Sequence, residues 1–162
     1  MYRWIVLLHV LSVLGFVLLH GASAMTFMGL RREADPERVK ALLALSVYPA
    51  NLSWLSLGML LLSGIALGFT GGWWSSGWIW ASLGVLILMI LAMGFLGSRS
   101  LNVIRADLGL PSSYGDAPPE PEDRPPVEVV QTRMAELPAW PLMGVGAGGL
   151  AILTWLMMFK PF

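Results

Sequence analysis

The sequence predicts an all-α membrane protein, an antiparallel bundle of four transmembrane helices with a proline- and acid-rich cytoplasmic loop. Three observations predict it. Hydrophobic residues fill 56% of the 162 positions and charged residues only 12%, about half the charge of an ordinary soluble domain. The apolar residues gather into four runs, 4–30, 50–69, 78–98 and 140–159, each close to the ~20 residues that cross a bilayer. None of these runs contains Lys, Arg, Asp or Glu.

The first run begins beside Arg3 and stops at Arg31-Arg32. Ala22-Ser23-Ala24 imitates a signal-peptidase site, but the run stays apolar through Met25-Thr26-Phe27-Met28 to a basic stop, so cleavage is not expected. After it, Asp35-Pro36-Glu37 carries a helix-start signature, a capping carboxylate followed by proline at the first helical position. Val39, Leu42, Leu43 and Val47 then recur at helical spacing, which predicts a short amphipathic helix leading into the second span. Pro49 lacks a backbone donor, so a kink or break is expected near Tyr48–Asn51.

The second and third runs are joined by Thr70–Gly77, a turn holding Trp73 and Trp74, with Trp78 and Trp80 beyond. The four tryptophans predict an aromatic belt at the lipid headgroups. The third helix is expected to extend past the membrane through Leu101, Ile104 and Leu108. Within the loop 99–138, Pro111 to Pro126 is rich in proline and acid and predicts an extended stretch, mobile or lying against a partner or the end of the bundle. Val127, Val130, Met134 and Leu137 line one helical face, which suits a short helix on the inner membrane interface.

Charge sets the orientation. Eight of the ten bases (Arg31, Arg32, Arg38, Lys40, Arg99, Arg105, Arg124 and Arg133) lie in the two long connections, with all ten acids. Arg3 and Lys160 stand alone at the other side. The positive-inside rule then places the long loops in the cytoplasm and both termini outside, in a membrane such as the bacterial inner (plasma) membrane. Bases and acids cancel, so no net field steers the chain to nucleic acid. The absence of cysteine removes disulfides, thiolate metal sites and thiol catalysis together.

Two glycine pairs mark expected helix contacts, Gly64 and Gly68 in the second span and Gly144 and Gly148 in the fourth. Small residues at this spacing let backbones approach closely in lipid, whether within the chain or toward another subunit. The two histidines, His9 and His20, both lie in the first span, eleven residues apart. That separation is about 1,100° of turn and roughly 16 Å of rise, so both rings share one face. A polar ring at such depth is a functional candidate. One reading is a hydrogen bond to a neighbouring helix, through Ser53, Ser56, Ser63 or a carbonyl. The other is ligation of haem b, a chlorophyll-type pigment or copper, with methionine (Met25, Met59, Met89, Met93, Met157 or Met158) or another subunit as second ligand. The sequence shows no intramembrane carboxylate relay, no catalytic serine with a nearby histidine and no phosphate loop, so no catalysis is expected.

An N-terminal tryptophan followed by Leu8-His9-Val10-Leu11, a glycine- and alanine-rich continuation, Arg31-Arg32 and an Asp-Pro loop resembles the first span of copper-resistance D-like proteins. It also resembles a related small predicted integral membrane family of unknown function. The likeness extends loosely to Leu62-Ser63-Gly64-Ile65-Ala66-Leu67 before the tryptophan-rich turn. The resemblance implies a four-helix unit handling haem or copper, with His9 at the position of that group's first-span histidine. The residues themselves favour an accessory or anchoring subunit of a larger membrane complex. Its expected partners are membrane lipid and other subunits or further copies of itself.

Overall fold

In a computed structural model of residues 1–162 every regular element is helical and no strand occurs. The order is α1 (Tyr2–Leu30), α2 (Pro36–Gly71), α3 (Gly77–Met93), α4 (Arg99–Asp107), α5 (Val127–Ala135) and α6 (Ala139–Phe159). A π turn, Gly94–Ser98, joins α3 to α4 without interruption. Four stretches are long and apolar enough to cross a membrane: Tyr2–Leu30, Pro36–Gly71, Gly77–Asp107 and Val127–Phe159. The connections 31–35 and 108–126 meet at one end of the bundle, the loop end; Met1 and Phe162 lie at the other, the termini end.

α2 starts as its sequence dictates. Pro36 occupies the first turn, and Asp35 Oδ1 accepts a 3.0 Å hydrogen bond from the Glu37 amide. The helix stops at Gly72, whose φ of 68° is left-handed and free of strain only for glycine. Between these caps it runs 36 residues, about 54 Å, far more than the hydrocarbon needs. Of the kink or break expected near Tyr48–Asn51, the break does not occur: α2 is continuous through Pro49. Proline deprives only the Leu45 carbonyl of its usual donor, and α1 lies along both flanks of the site, with Gly29 against Leu42 and Gly15 against Ser56.

Those same contacts, with His9 against Gly64, define an antiparallel α1–α2 hairpin. α3 and α6 form a second antiparallel pair, with Gly97 against Leu142, Met89 against Gly149 and Gly77 against Phe162. Leu57, Leu86, Met89 and Leu153 bring α2, α3 and α6 together at mid-bundle.

The larger core lies at the loop end. Phe27 and Leu30 of α1, Val39 and Leu43 of α2, Ile104 of α4, Val130 and Met134 of α5, Leu137, and Leu142 of α6 form one buried cluster. Leu30 and Leu43 are fully buried, each contributing on the order of 1.5–3 kcal/mol where water surrounds the cluster. This corrects the expected placement of α5. Val130, Met134 and Leu137 pack into the protein rather than onto a membrane surface, and Val127 is left exposed. The stretch 111–126 is mostly exposed and irregular apart from a single 3₁₀ turn, Pro121–Asp123. It lies against the bundle's loop end, where the Ser113 amide donates to Asn102 Oδ1 of α4 at 2.9 Å.

Candidate functional site

Each histidine meets a different neighbour. His9 is half-buried in the α1–α2 seam, its ring against Gly64, where a methyl would stand 3.3 Å from Cε1. Its Nδ1 lies 3.0 Å from Ser63 Oγ. Ser63 Oγ also lies 2.6 Å from the Met59 carbonyl and 3.0 Å from that of Leu60. When the hydroxyl gives its one proton to either carbonyl, His9 Nδ1 is the donor to Oγ and Nε2 carries the lone pair; when the hydroxyl donates to Nδ1, the ring proton is on Nε2.

His20 makes no hydrogen bond within the chain. Its ring stacks on Phe16, centroids 5.6 Å apart and planes 16° from parallel. Its Nε2 faces α6, 2.9 Å from the point a Gly146 β-carbon would occupy, and Met93 Cε lies 3.1 Å from that point. The shared face predicted from the eleven-residue spacing thus does not bring the rings to one site. The first is held by α2, the second by α6 and the start of the π turn.

No three His, Asp or Glu side chains converge anywhere. His20 Nε2 faces the α6 backbone at Gly146 and bonds to nothing in the chain. The Ser63 bond fixes the His9 ring, as the partner of the other ring nitrogen does for a metal-bound imidazole.

Of the glycine pairs, Gly64 and Gly68 do pack within the chain, Gly64 under His9 and Gly68 under the Trp74 indole. Gly144 and Gly148 have nothing within 4 Å of where a side chain would begin. The close approach of α6 to its neighbours uses Gly146 and Gly149 instead. Their signal was in the sequence: with Leu142, Leu153 and Leu156 they form a stripe at three- and four-residue spacing.

The tryptophan-rich turn is partly a packed cluster. Trp78 is buried, Trp74 sits between Phe69 and Trp80, and Lys160 Nζ stands 4.1 Å from the centroid of the Trp73 ring. Trp80 remains exposed, as a headgroup anchor would be.

Comparison with protein-family models, with curated proteins and with solved structures returns no match for this chain.

One residue of consequence escaped the sequence reading. Arg105, counted only as a loop charge, is buried, without a carboxylate partner. Its Nη1 donates to the Leu43 carbonyl of α2 at 2.9 Å and its Nε to the Pro111 carbonyl at 2.8 Å. It thereby ties α2 to α4 and to the first residues of the long loop. Nearby, Arg133 of α5 pairs with Asp107 of α4 at 2.6 Å.

Proposed function

We propose that this chain is an accessory or anchoring subunit of a larger membrane complex, without catalysis of its own. One observation carries the proposal. Gly144 and Gly148 lie on an exposed face of α6 and touch nothing in the chain. In lipid, apolar side chains gain nothing by leaving the hydrocarbon, and helices associate where small residues permit close approach. A small-residue pair turned away from its own bundle suits a helix of another subunit. His20 adds support: an imidazole at membrane depth needs a hydrogen-bonding partner, and none of its own helices supplies one.

Blue-native electrophoresis of gently solubilised membranes tests the reading. The parent should run within a larger assembly, and Gly148→Leu should release it while leaving the bundle folded. A parent that migrates as a lone 17.6 kDa species would overturn the proposal.

A second reading is ligation of haem, a pigment or copper by His9 and/or His20, with support at His9 from the Ser63 hydrogen bond that orients its ring. An optical spectrum and metal analysis of the purified protein decide it. A Soret band or bound copper that His9→Leu or His20→Leu removes would establish it; a colourless, metal-free protein would sink it.

We also propose that the loop end is cytoplasmic and the termini lie outside, in a bacterial inner membrane. The support is the eight-to-two division of bases between the long loops and the termini.

A further inference from the structure

At the loop end a cavity of 280 Å³ opens between α4 and the end of α5 with its connection to α6, lined by Arg99, Ser100, Val103, Arg133, Glu136 and Leu137 among others. Its charges are of both signs. Arg99 and Glu136 form no ion pair, and Arg133 uses only Nη1 on Asp107, which leaves its Nε and Nη2 free. The cavity also lies at a boundary. The Arg99 guanidinium stands 5.6 Å from the centroid of the Phe95 ring, so the two share one helix face. Leu88, Leu91 and Phe95 continue that face away from the loop end, and all three are exposed apolar residues. Exposed Trp140, two residues past the cavity's Pro138, marks the same level as an interfacial anchor.

We infer that this cavity binds the headgroup of an aminophospholipid, a phosphoethanolamine, with the acyl chains along Leu88, Leu91 and Phe95. Phosphate meets the guanidinium of Arg99 and the free donors of Arg133, where the planar fork suits phosphate oxygens. The ammonium reaches Glu136, the one unpaired carboxylate on the cavity wall. A glycerol headgroup offers that carboxylate no cation. Choline offers a cation without N–H donors. The combination of unpaired base, unpaired acid and adjoining apolar strip therefore selects ethanolamine over both. This inference is independent of the subunit reading.

The test measures lipid retained by the full chain after exchange in detergent against dioleoyl phosphatidylethanolamine, phosphatidylglycerol or phosphatidylcholine, counted by native mass spectrometry. The parent should retain phosphatidylethanolamine about fivefold over the other two, the scale of an exposed charge pair. Arg99→Gln should lower that retention by a similar factor, and Glu136→Gln should bring phosphatidylglycerol level with phosphatidylethanolamine. Both positions are exposed, and thermal melting of each variant verifies the fold. Equal retention of the three lipids by the parent, or a preference that survives both substitutions, would overturn the inference. Displacement of the lipid by an equal concentration of water-soluble phosphoethanolamine would overturn the lipid assignment in favour of a free phosphate monoester.

Discussion

Arg105 is a buried cation whose partners are two carbonyls, and its geometry limits what can replace it. The guanidinium fork reaches Leu43 and Pro111 at once, from two different nitrogens. A lysine ammonium is a point donor on a flexible stem and cannot hold the same pair in one plane. Arg105→Met keeps the apolar stem and removes the fork. It should cost about 1.5–3 kcal/mol, the range for hydrogen bonds to charged groups. Lysine should restore little of it. Thermal melting gives the loss, and limited proteolysis gives its location: cleavage within the mostly exposed stretch 112–126 should accelerate. Unchanged melting and cleavage in Arg105→Met would refute the clamp. His20 calls for the opposite pattern. With no bond inside the chain to lose, His20→Leu should shift the melting of the isolated protein by less than about 0.5 kcal/mol yet weaken assembly in the membrane. A large loss in the isolated protein would mean that its contacts with Phe16 and Gly146 are structural in their own right.

At the scale of the helices, the sequence revealed most where physics is local. Four spans, the Asp35-Pro36 start and the continuation of α3 through the π turn into α4 follow from hydrophobic length and from capping, each a property of neighbouring residues. What it hid depends on which helix stands opposite. Gly144 and Gly148 have the same spacing as Gly64 and Gly68, but only the second pair meets its own chain. Val130, Met134 and Leu137 give one apolar face, and periodicity alone cannot say whether protein or lipid covers it. Arg105 looks like any loop arginine until α2 is placed beside it. His9 and Ser63 were legible as candidate partners, while the separation of the two rings into different seams required the packing. The glycines give a direct test. Gly149 holds the Met89 side chain against the α6 backbone, so Gly149→Leu forces overpacking at the α3–α6 seam and should destabilise by about 1–3 kcal/mol or more. Gly144→Leu, on the open face, should leave melting of the isolated chain unchanged. Equal losses in both variants would erase the distinction between an inner and an outer small-residue face.

At the scale of the whole molecule the division of charge is the support for the proposed orientation. All ten acids and eight of the ten bases are at the loop end, so the two ends differ in polarity as well as in sign. Of the eight bases, Arg105 is buried, and Arg38, Lys40 and Arg133 are paired with acids. Arg31, Arg32, Arg99 and Arg124 are left without an ion pair, against Arg3 and Lys160 at the termini end. Lys160 is exposed and stands over the Trp73 and Trp78 rings. The count that the insertion machinery reads, eight bases against two, is set by the sequence before these pairs form, and it favours the loop end inside. Single cysteines at Ser76, in the tryptophan-rich turn, and at Ser113, in the long loop, report each side separately, since the chain has no cysteine of its own. Ser113 is exposed and Ser76 partly so, which keeps both within reach of a reagent. In intact cells an impermeant maleimide should label the cysteine at 76 and spare that at 113, and permeabilisation should make both reactive. Labelling at 113 alone would invert the topology, and with it the leaflet in which Arg99 and Glu136 meet their lipid.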